Sequence, residues 1–387
     1  GEHRQISGWR LFQIVFIVSL ICEMIRSEYK NDPNIAEADI ATANLLYFPT
    51  GGGKTEAFLG ACVFNMFFDR LRGKNDGITA FLKYPLRLLA VQQLDRVLMI
   101  VMKANVVRES SGELAHKTPF QVGFFVGKGN TPNKIDSFER LSERGDKNKT
   151  KDLILESDSE TLNEYYRFID TCPYCGKKHV NLRFNRDTWR LEHVCDNPEC
   201  PIMVLPLMIV DNEIYRYLPS IVVSTIDKMA MLGTSNDFKM LFGQVKKKCP
   251  VHGFTGNAKC SCASCGGHVL QNVGLLKDPI PTLFIQDEMH LVKESLGTFD
   301  AHYESFLSYY AKELVPEAQR KLIRFVGATA TISMYESHIW HLYHMDGRRF
   351  PCEYPSAEAG EDFYSYTDNN DITRILIGHA PLWTVDY

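Results

Sequence analysis

The sequence predicts an α/β protein built on a parallel sheet with helices on both faces and interrupted by a zinc-ribbon-bearing insertion. Three observations carry that expectation. "LLYFPTGGGKTEAFLG" (45–60) runs from a short apolar segment through three glycines into a Lys-Thr pair at a helix start. "TLFIQDEMHL" (282–291) is an apolar segment that ends in two adjacent carboxylates. Eight of the eleven cysteines fall between residues 172 and 265.

The first stretch reads as strand, turn and helix. "NLLYF" has the apolar run of a buried strand, and "TEAFLGACVFNMFFDRL" has apolar residues at helical spacing. Between them, Thr50, Gly51, Gly52, Gly53, Lys54, Thr55 and Glu56 have the composition of a phosphate-binding loop. Backbone amides of such a loop surround phosphate oxygens, the lysine reaches the β/γ pair and the hydroxyl of Thr55 holds Mg²⁺. Phe48 stands where the general pattern has its first glycine. The partner such a loop requires is an acidic pair at the end of another buried strand. Asp287 would hold Mg²⁺, Glu288 would orient and deprotonate the attacking water, and His290 follows two positions on. Lys54, Asp287 and Glu288 are therefore the predicted catalytic residues, with ATP and Mg²⁺ as cofactors.

Composition sets the limits. The 387 residues allow two or three domains, and 45% hydrophobic with 23% charged residues is the balance of a folded globular chain. A net charge of −4 excludes a polycation but not an enzyme with a basic groove. The longest apolar run, "LFQIVFIVSLICEMI" (11–25), is short for a bilayer and is interrupted by Gln13 and Glu23. A buried first helix is expected there, with no membrane partner. Basic residues precede this run, but no small-residue cleavage site follows it, so a cytoplasmic, reducing compartment is expected. Clustered cysteines then read as metal ligands rather than disulfides. Cys22, Cys62 and Cys352 stand apart and read as small buried apolar residues. The chain starts at Gly1 and ends on "LWTVDY", which reads as a piece of a longer protein.

Further stretches follow in a recognisable order. "KYPLRLLAVQQLDR" (83–96), "VVSTIDKM" (222–229), the Asp-Glu-x-His at 287–290 and "GATATIS" (327–333) resemble the ordered motifs of superfamily 2 DExH helicases. That resemblance implies a RecA-like P-loop NTPase sheet. Thr225 and Asp227 would lie in a motif that touches nucleic-acid backbone, and Thr329 in one that couples hydrolysis to movement between lobes. "WRLFQ" (9–13), "PFQVGFFVGKGNTPNK" (119–134), "FIQDEMHLVKESLGTFDAHYE" (284–304) and "RRFPCEYPSAEAGEDFYSY" (348–366) together resemble, more narrowly, the helicase-like subunits of DISARM anti-phage systems. The likeness implies that Gln13 reads adenine; the alternative is a buried glutamine capping a helix. Such helicases carry a second lobe with an arginine-rich motif, and no Gln-x-x-Gly-Arg-x-x-Arg stretch occurs in 334–387. The chain therefore reads as a first motor lobe with slow hydrolysis of its own. Its expected divisions are 1–104 and 216–345 for the lobe, 105–215 for an insertion containing the charge-rich "RLSERGDKNKTKD", and 346–387 for the start of the connection onward.

Two zinc sites are expected. Cys172-x2-Cys175 and Cys195-x4-Cys200 are two knuckles separated by hairpin length, as a tetrahedral Zn–S₄ ribbon needs. His179 and His193 are possible substitutes. The second cluster offers Cys249, His252, Cys260, Cys262 and Cys265 for four places. Cys249, His252, Cys262 and Cys265 form the expected set, with Cys260 the alternative to His252. Four protein ligands leave no open position for water, so both sites read as structural.

The functional expectation is the ATP-dependent DNA helicase or translocase motor lobe of a bacterial defence complex, with DNA and other subunits of that complex as partners. A DNA-repair helicase with a cysteine-rich module, and a nucleotide-gated DNA-binding scaffold that does not translocate, are the alternatives. A nuclease is disfavoured, because no second carboxylate cluster accompanies Asp287 and Glu288.

Overall fold

The computed structural model describes residues 8–26, 28–29, 31–36, 42–127, 131–135, 159–233, 235–260, 262, 265–274, 276–317, 320–352 and 364. The charge-rich run at 140–152 and, but for Tyr364, the tail from 353 lie outside them. In chain order the elements are α1 (Leu11–Ile25), α2 (Pro33–Ala36), β1 (Thr42–Tyr47), α3 (Lys54–Leu71), β2 (Ala80–Tyr84), α4 (Arg87–Ser110) and β3 (Val122–Phe125). There follow α5 (Ser159–Tyr166), β4 (Val180–Asn185), β5 (Arg190–Cys195), β6 (Leu207–Met208), α6 (Asp211–Tyr217) and β7 (Ile221–Thr225). Then come β8 (Lys247–Cys249), β9 (Gly253–Thr255), β10 (Gln271–Asn272), β11 (Leu283–Gln286), α7 (Glu294–Tyr309), β12 (Arg324–Thr329), α8 (Tyr335–Tyr343) and β13 (Asp346–Phe350).

Eight strands form one sheet in the order β13-β1-β12-β11-β2-β7-β3-β6, with every pairing parallel. A sheet buried on both faces needs strands that read as near-continuous apolar runs, and most of β1, β2, β3, β7, β11 and β12 does, whereas the edge strand β13 (DGRRF) is polar and part-exposed. On β11, Leu283 and Ile285 join the cluster that contains α1, α3 and α4, while Phe284 joins the cluster of α7 and α8. Phe81 on β2 likewise stacks on Phe284 at 5.1 Å, while Ala80 and Leu82 face the other way. The period-two alternation thus places one layer of helices on each face.

Three sequence expectations change. The sheet takes β3 and β6 from within 105–215, and α4 runs across position 105, so the chain inserted between sheet strands is 126–206. "VGFF" is apolar at every position and supplies a buried parallel strand as readily as any motor segment. The first helix is buried along one side only: Phe12, Phe16, Leu20 and Met24 face inward, whereas Leu11, Ile14 and Val18 are exposed. Its inward side meets α3 at Gly60, where an added Cβ would lie 2.5 Å from Ile17 Cδ1. Cys62 is buried, but Cys22 and Cys352 are exposed. Among the described residues no helix is long and apolar enough to cross a membrane.

The cysteine-bearing segments fold as small antiparallel sheets outside the main one, β4-β5 and β10-β8-β9. Between them lies α6, whose Glu213 is fully buried and accepts the Leu191 N–H at 2.7 Å. Burial pushes this carboxyl up to about 7, against Arg190 and Arg216 and with Glu192. A carboxyl raised in this way keeps its proton in the folded chain where the unfolded chain has lost it. Stability therefore falls as pH rises from the ordinary carboxylate range towards 7. Glu213→Gln keeps the acceptor and removes the titration. Its denaturation midpoint should fall less steeply than that of the wild type between about pH 5 and 7 in a urea series.

Candidate nucleotide site and metal centres

Each glycine of the loop has its own physical cause. Gly51 (φ 76°) and Gly53 (φ 95°) adopt left-handed backbone that side chains disfavour. Gly52 has ordinary backbone, but a Cβ there would lie 2.5 Å from the Phe48 ring and 2.8 Å from the Pro49 carbonyl. Phe48 replaces the pattern's usual glycine because its ring stacks on Phe12 of α1 at 3.9 Å. The start of α1 then holds the loop directly: Arg10 Nη1 donates to the Gly52 carbonyl at 2.5 Å and Gln13 Nε2 to the Gly53 carbonyl at 2.9 Å. Gln13 Oε1 accepts the Arg10 N–H at 2.8 Å, so the buried amide both caps α1 and tethers the loop. Thr50 is exposed at the loop's rim. Thr55 and Glu56 are half-buried on the first turn of α3, with Glu56 3.7 Å from Arg96.

Lys54 is buried and its ammonium folds back over the loop, donating to the carbonyls of Phe48 at 2.7 Å and Pro49 at 3.4 Å. Burial lowers its affinity for the proton, and the charges of Glu288 and Asp287 oppose that. Asp287 is buried at the end of β11, its N–H bonded to the Lys83 carbonyl at 3.1 Å and its Oδ1 accepting the Glu288 N–H at 2.9 Å. Burial pushes its carboxyl up to about 6; the Glu288 charge adds to this, while the Glu288 N–H, Lys54 and Arg96 oppose it. Lys54 and Asp287 thus stand close enough to influence each other's charge, with Glu288 beside them, just past the carboxyl ends of β1 and β11, where α/β sheets bind ligands. A buried carboxylate facing an ammonium and a glycine loop is a donor set that fits a magnesium-bound phosphate.

The acidic turn is locked to the strand beside it. Glu288 itself takes left-handed backbone (φ 47°), which costs of order 1 kcal/mol and turns the chain sharply out of the strand. Met289 then packs over Gly327, where a Cβ would meet its sulfur at 2.5 Å. His290 Nδ1 lies 2.9 Å from Thr329 Oγ1 and 3.4 Å from Glu288 Oε2. The Thr329 carbonyl accepts the Phe48 N–H at 3.1 Å, so β12 touches both halves of the site. Further along the same sheet edge, Arg87 Nη2 donates to the Gly127 carbonyl at 2.7 Å, and a Cβ on Gly127 would lie 2.9 Å from Asp227 Oδ2. Thr225 ends β7, buried, and among the described residues its hydroxyl has no hydrogen-bond partner. Sequence reasoning missed the loop contact of Arg10 and the pull of Arg96 on Asp287. The latter was signalled only by a basic residue at the end of "QQLDR".

The two cysteine clusters differ in how they meet expectation. Cys172, Cys175, Cys195 and Cys200 bring their sulfurs within 4.8 Å of one another. The Cys172–Cys200 and Cys175–Cys195 pairs are at 4.0 and 3.8 Å. A tetrahedron with Zn–S of about 2.3 Å spaces sulfurs by about 3.8 Å, so the set fits zinc. His193 is buried with both ring nitrogens unpartnered among the described residues, and it stays outside the set. In the second cluster the ligand atoms within 4.8 Å belong to Cys249, His252, Cys260 and Cys265. Cys260 therefore joins His252 rather than replacing it, and Cys262 is displaced. The Cys262 main chain serves the same cluster, its N–H facing the Cys260 thiol and its carbonyl accepting the Cys265 N–H at 3.2 Å.

This helix-flanked parallel sheet, with its glycine loop and acidic turn, has the RecA-like P-loop arrangement. The chain is similar over nearly its whole length to the DISARM protein DrmA of Bacillus paralicheniformis, at 30% identity over 383 residues, which is 94% of this chain and 32% of that protein. It thus spans about a third of the relative's length. Among solved structures, the helicase MrfA bound to DNA and AMPPNP aligns with a TM-score of 0.39 at 11% identity, over 89% of this chain and 27% of that one. A DEAD-box helicase bound to ssRNA and UDP-BeF aligns with a TM-score of 0.41 at 10% identity, over 89% of this chain and 40% of that one. No family model matches the chain.

The revised ligand set has a direct check. Cys260→Ser should lower bound zinc from about two per chain towards one, while Cys262→Ser should keep both, measured by elemental analysis after desalting.

Proposed function

We propose that this chain is the ATP-binding motor lobe of a DNA helicase or translocase acting in a cytoplasmic, DISARM-type defence complex. The observation that carries the reading is the convergence of Lys54, Asp287 and Glu288 past the carboxyl ends of β1 and β11, joined to Thr329 through His290. The similarity to DrmA over 94% of the chain supports the defence context and the expectation of partner subunits.

The amides of 51–53 and the Lys54 ammonium would cradle phosphates, and Thr55 and Asp287 would hold Mg²⁺. Lys54 then exchanges the Phe48 and Pro49 carbonyls for a ligand oxygen, a charge-assisted bond in place of two neutral ones. Bound Mg-ATP supplies the γ-phosphoryl group whose transfer to water the lobe exploits. Glu288, half-buried beside Asp287, accepts the proton of the attacking water. His290 passes any shift of Glu288 to Thr329, whose carbonyl in turn holds Phe48 at the loop start. Gln13 fixes the loop from the opposite side; adenine recognition would require it to release the Arg10 N–H or the Gly53 carbonyl. Arg87, Thr225 and Asp227 lie along the edge that would follow a nucleic-acid backbone, and binding through phosphates would weaken steeply with salt. Zinc in the two cysteine clusters would be structural.

In the full-length protein, Glu288→Gln should retain ATP binding while turnover falls by roughly 10²- to 10⁴-fold, the range for a lost general base. Lys54→Ala should instead weaken nucleotide binding by about ten- to a hundredfold, the worth of a hydrogen-bonded charge. Calorimetric titration and phosphate release separate the two. Equal ATP affinity in wild type and Lys54→Ala would overturn the site. The 387-residue chain on its own should bind nucleotide and hydrolyse it slowly, and an arginine finger supplied in trans should raise turnover by about 10³–10⁵.

A further inference from the structure

The β4–β5 hairpin is held at both ends. At its open end Cys195 closes β5 and belongs to the first cysteine cluster, with Cys172 and Cys175 just before β4. At its tip the turn 186–189 lies against the second cluster. His252 Nε2 is 3.0 Å from the Asp187 carbonyl. Arg216 of α6 donates to the carbonyls of Trp189 at 2.8 Å and His252 at 2.9 Å. The Tyr217 hydroxyl reaches the carbonyls of Thr188 at 3.3 Å and Val251 at 3.1 Å. Gly253 (φ 79°) passes so close that a Cβ would lie 2.4 Å from the Arg216 carbonyl. More than fifty residues of chain, including β7, separate the two segments thus stitched together.

The chemistry of His252 makes this stitching depend on metal. A main-chain carbonyl can only accept, so Nε2 carries the proton, and Nδ1 presents its lone pair to Cys249 Sγ at 3.5 Å and Cys260 Sγ at 3.8 Å. A metal on Nδ1 forbids the other tautomer and polarises the Nε2–H bond. This is how an outer hydrogen bond and a metal–histidine bond reinforce each other. Without metal the ring can move its proton to Nδ1, towards the sulfurs, and release Asp187.

We infer that the two metal sites are coupled through His252: a divalent, zinc-class ion at Cys249–His252–Cys260–Cys265 holds the tip of the hairpin whose other end carries the first site. The inserted chain and the knuckle after β7 then behave as one metal-braced body seated on α6. The inference rests on reading the second cluster as a metal site, and its test separates the two.

The test uses the full-length protein, elemental analysis for zinc and hydrogen exchange of the hairpin amides. His252→Cys retains a fourth ligand but cannot donate to Asp187. Zinc should stay at about two per chain while amides of residues 185–191 exchange about three- to tenfold faster, the worth of one hydrogen bond. Cys265→Ala, which empties the second site, should speed the same amides at least as much, with β1 and β2 unchanged. Wild-type exchange at the hairpin tip in His252→Cys with two zinc retained, or in Cys265→Ala with one zinc lost, would overturn the coupling. A wild-type count of one zinc would overturn the reading of the cluster itself, and the coupling with it.

Discussion

Asp287 is a carboxylate buried at the end of a parallel strand, and burying a charge without a partner costs several kcal/mol. Three features of the structure bear on that cost. Lys54 and Arg96 supply positive charge, and the Glu288 N–H supplies a hydrogen bond. Even so burial keeps the carboxyl raised to about 6. A divalent cation held by Asp287 would favour its charged form. The loop's left-handed glycines, the folded-back lysine and the sharp turn at Glu288 all keep charges that repel or desolvate one another within reach of a common ligand. The sheet serves this by setting β1 and β11 one strand apart, with β12 between them. That central strand carries Thr329, and through it the acidic turn and the glycine loop answer to the same hydrogen bonds.

The parts legible in the sequence were those whose chemistry fixes residue spacing. A phosphate cradle needs glycines, lysine and hydroxyl in consecutive positions, so 50–56 could be read without any fold. An acidic doublet after an apolar run is equally local. The first cysteine cluster was legible because two knuckles at hairpin separation allow one arrangement of four sulfurs. Less legible was anything decided by a choice between chemically equivalent neighbours. Cys260 and Cys262 lie two residues apart, and only the three-dimensional placement shows that the Cys260 sulfur lies within 4.8 Å of those of Cys249 and Cys265. The boundary at 105 failed for a related reason. "VGFF" and "LM" are short, and their membership of the main sheet comes from parallel pairing with distant strands, not from local pattern. The outer side of α1 reads as core by composition, yet Leu11, Ile14 and Val18 are exposed, because a single helix can turn only one side to α3.

The inserted segments raise a different physical problem. A two-stranded and a three-stranded antiparallel sheet cannot bury enough apolar surface to be stable alone. Metal–sulfur bonds would offset the missing core locally, but a metal at one end of a hairpin leaves the other end free to fray. The tip therefore needs its own anchor, and main-chain carbonyls at a turn can be held only by donors. Arg216, Tyr217 and His252 are such donors, each reaching the 187–189 turn. Two of them sit on α6, which is seven residues long and joined to β7 through residues 218–220, and α6 also pairs Asp211 with the buried Lys228 just past β7 at 2.6 Å. The hairpin tip is thus tied through α6 to β7, the strand that ends in Thr225 beside Asp227.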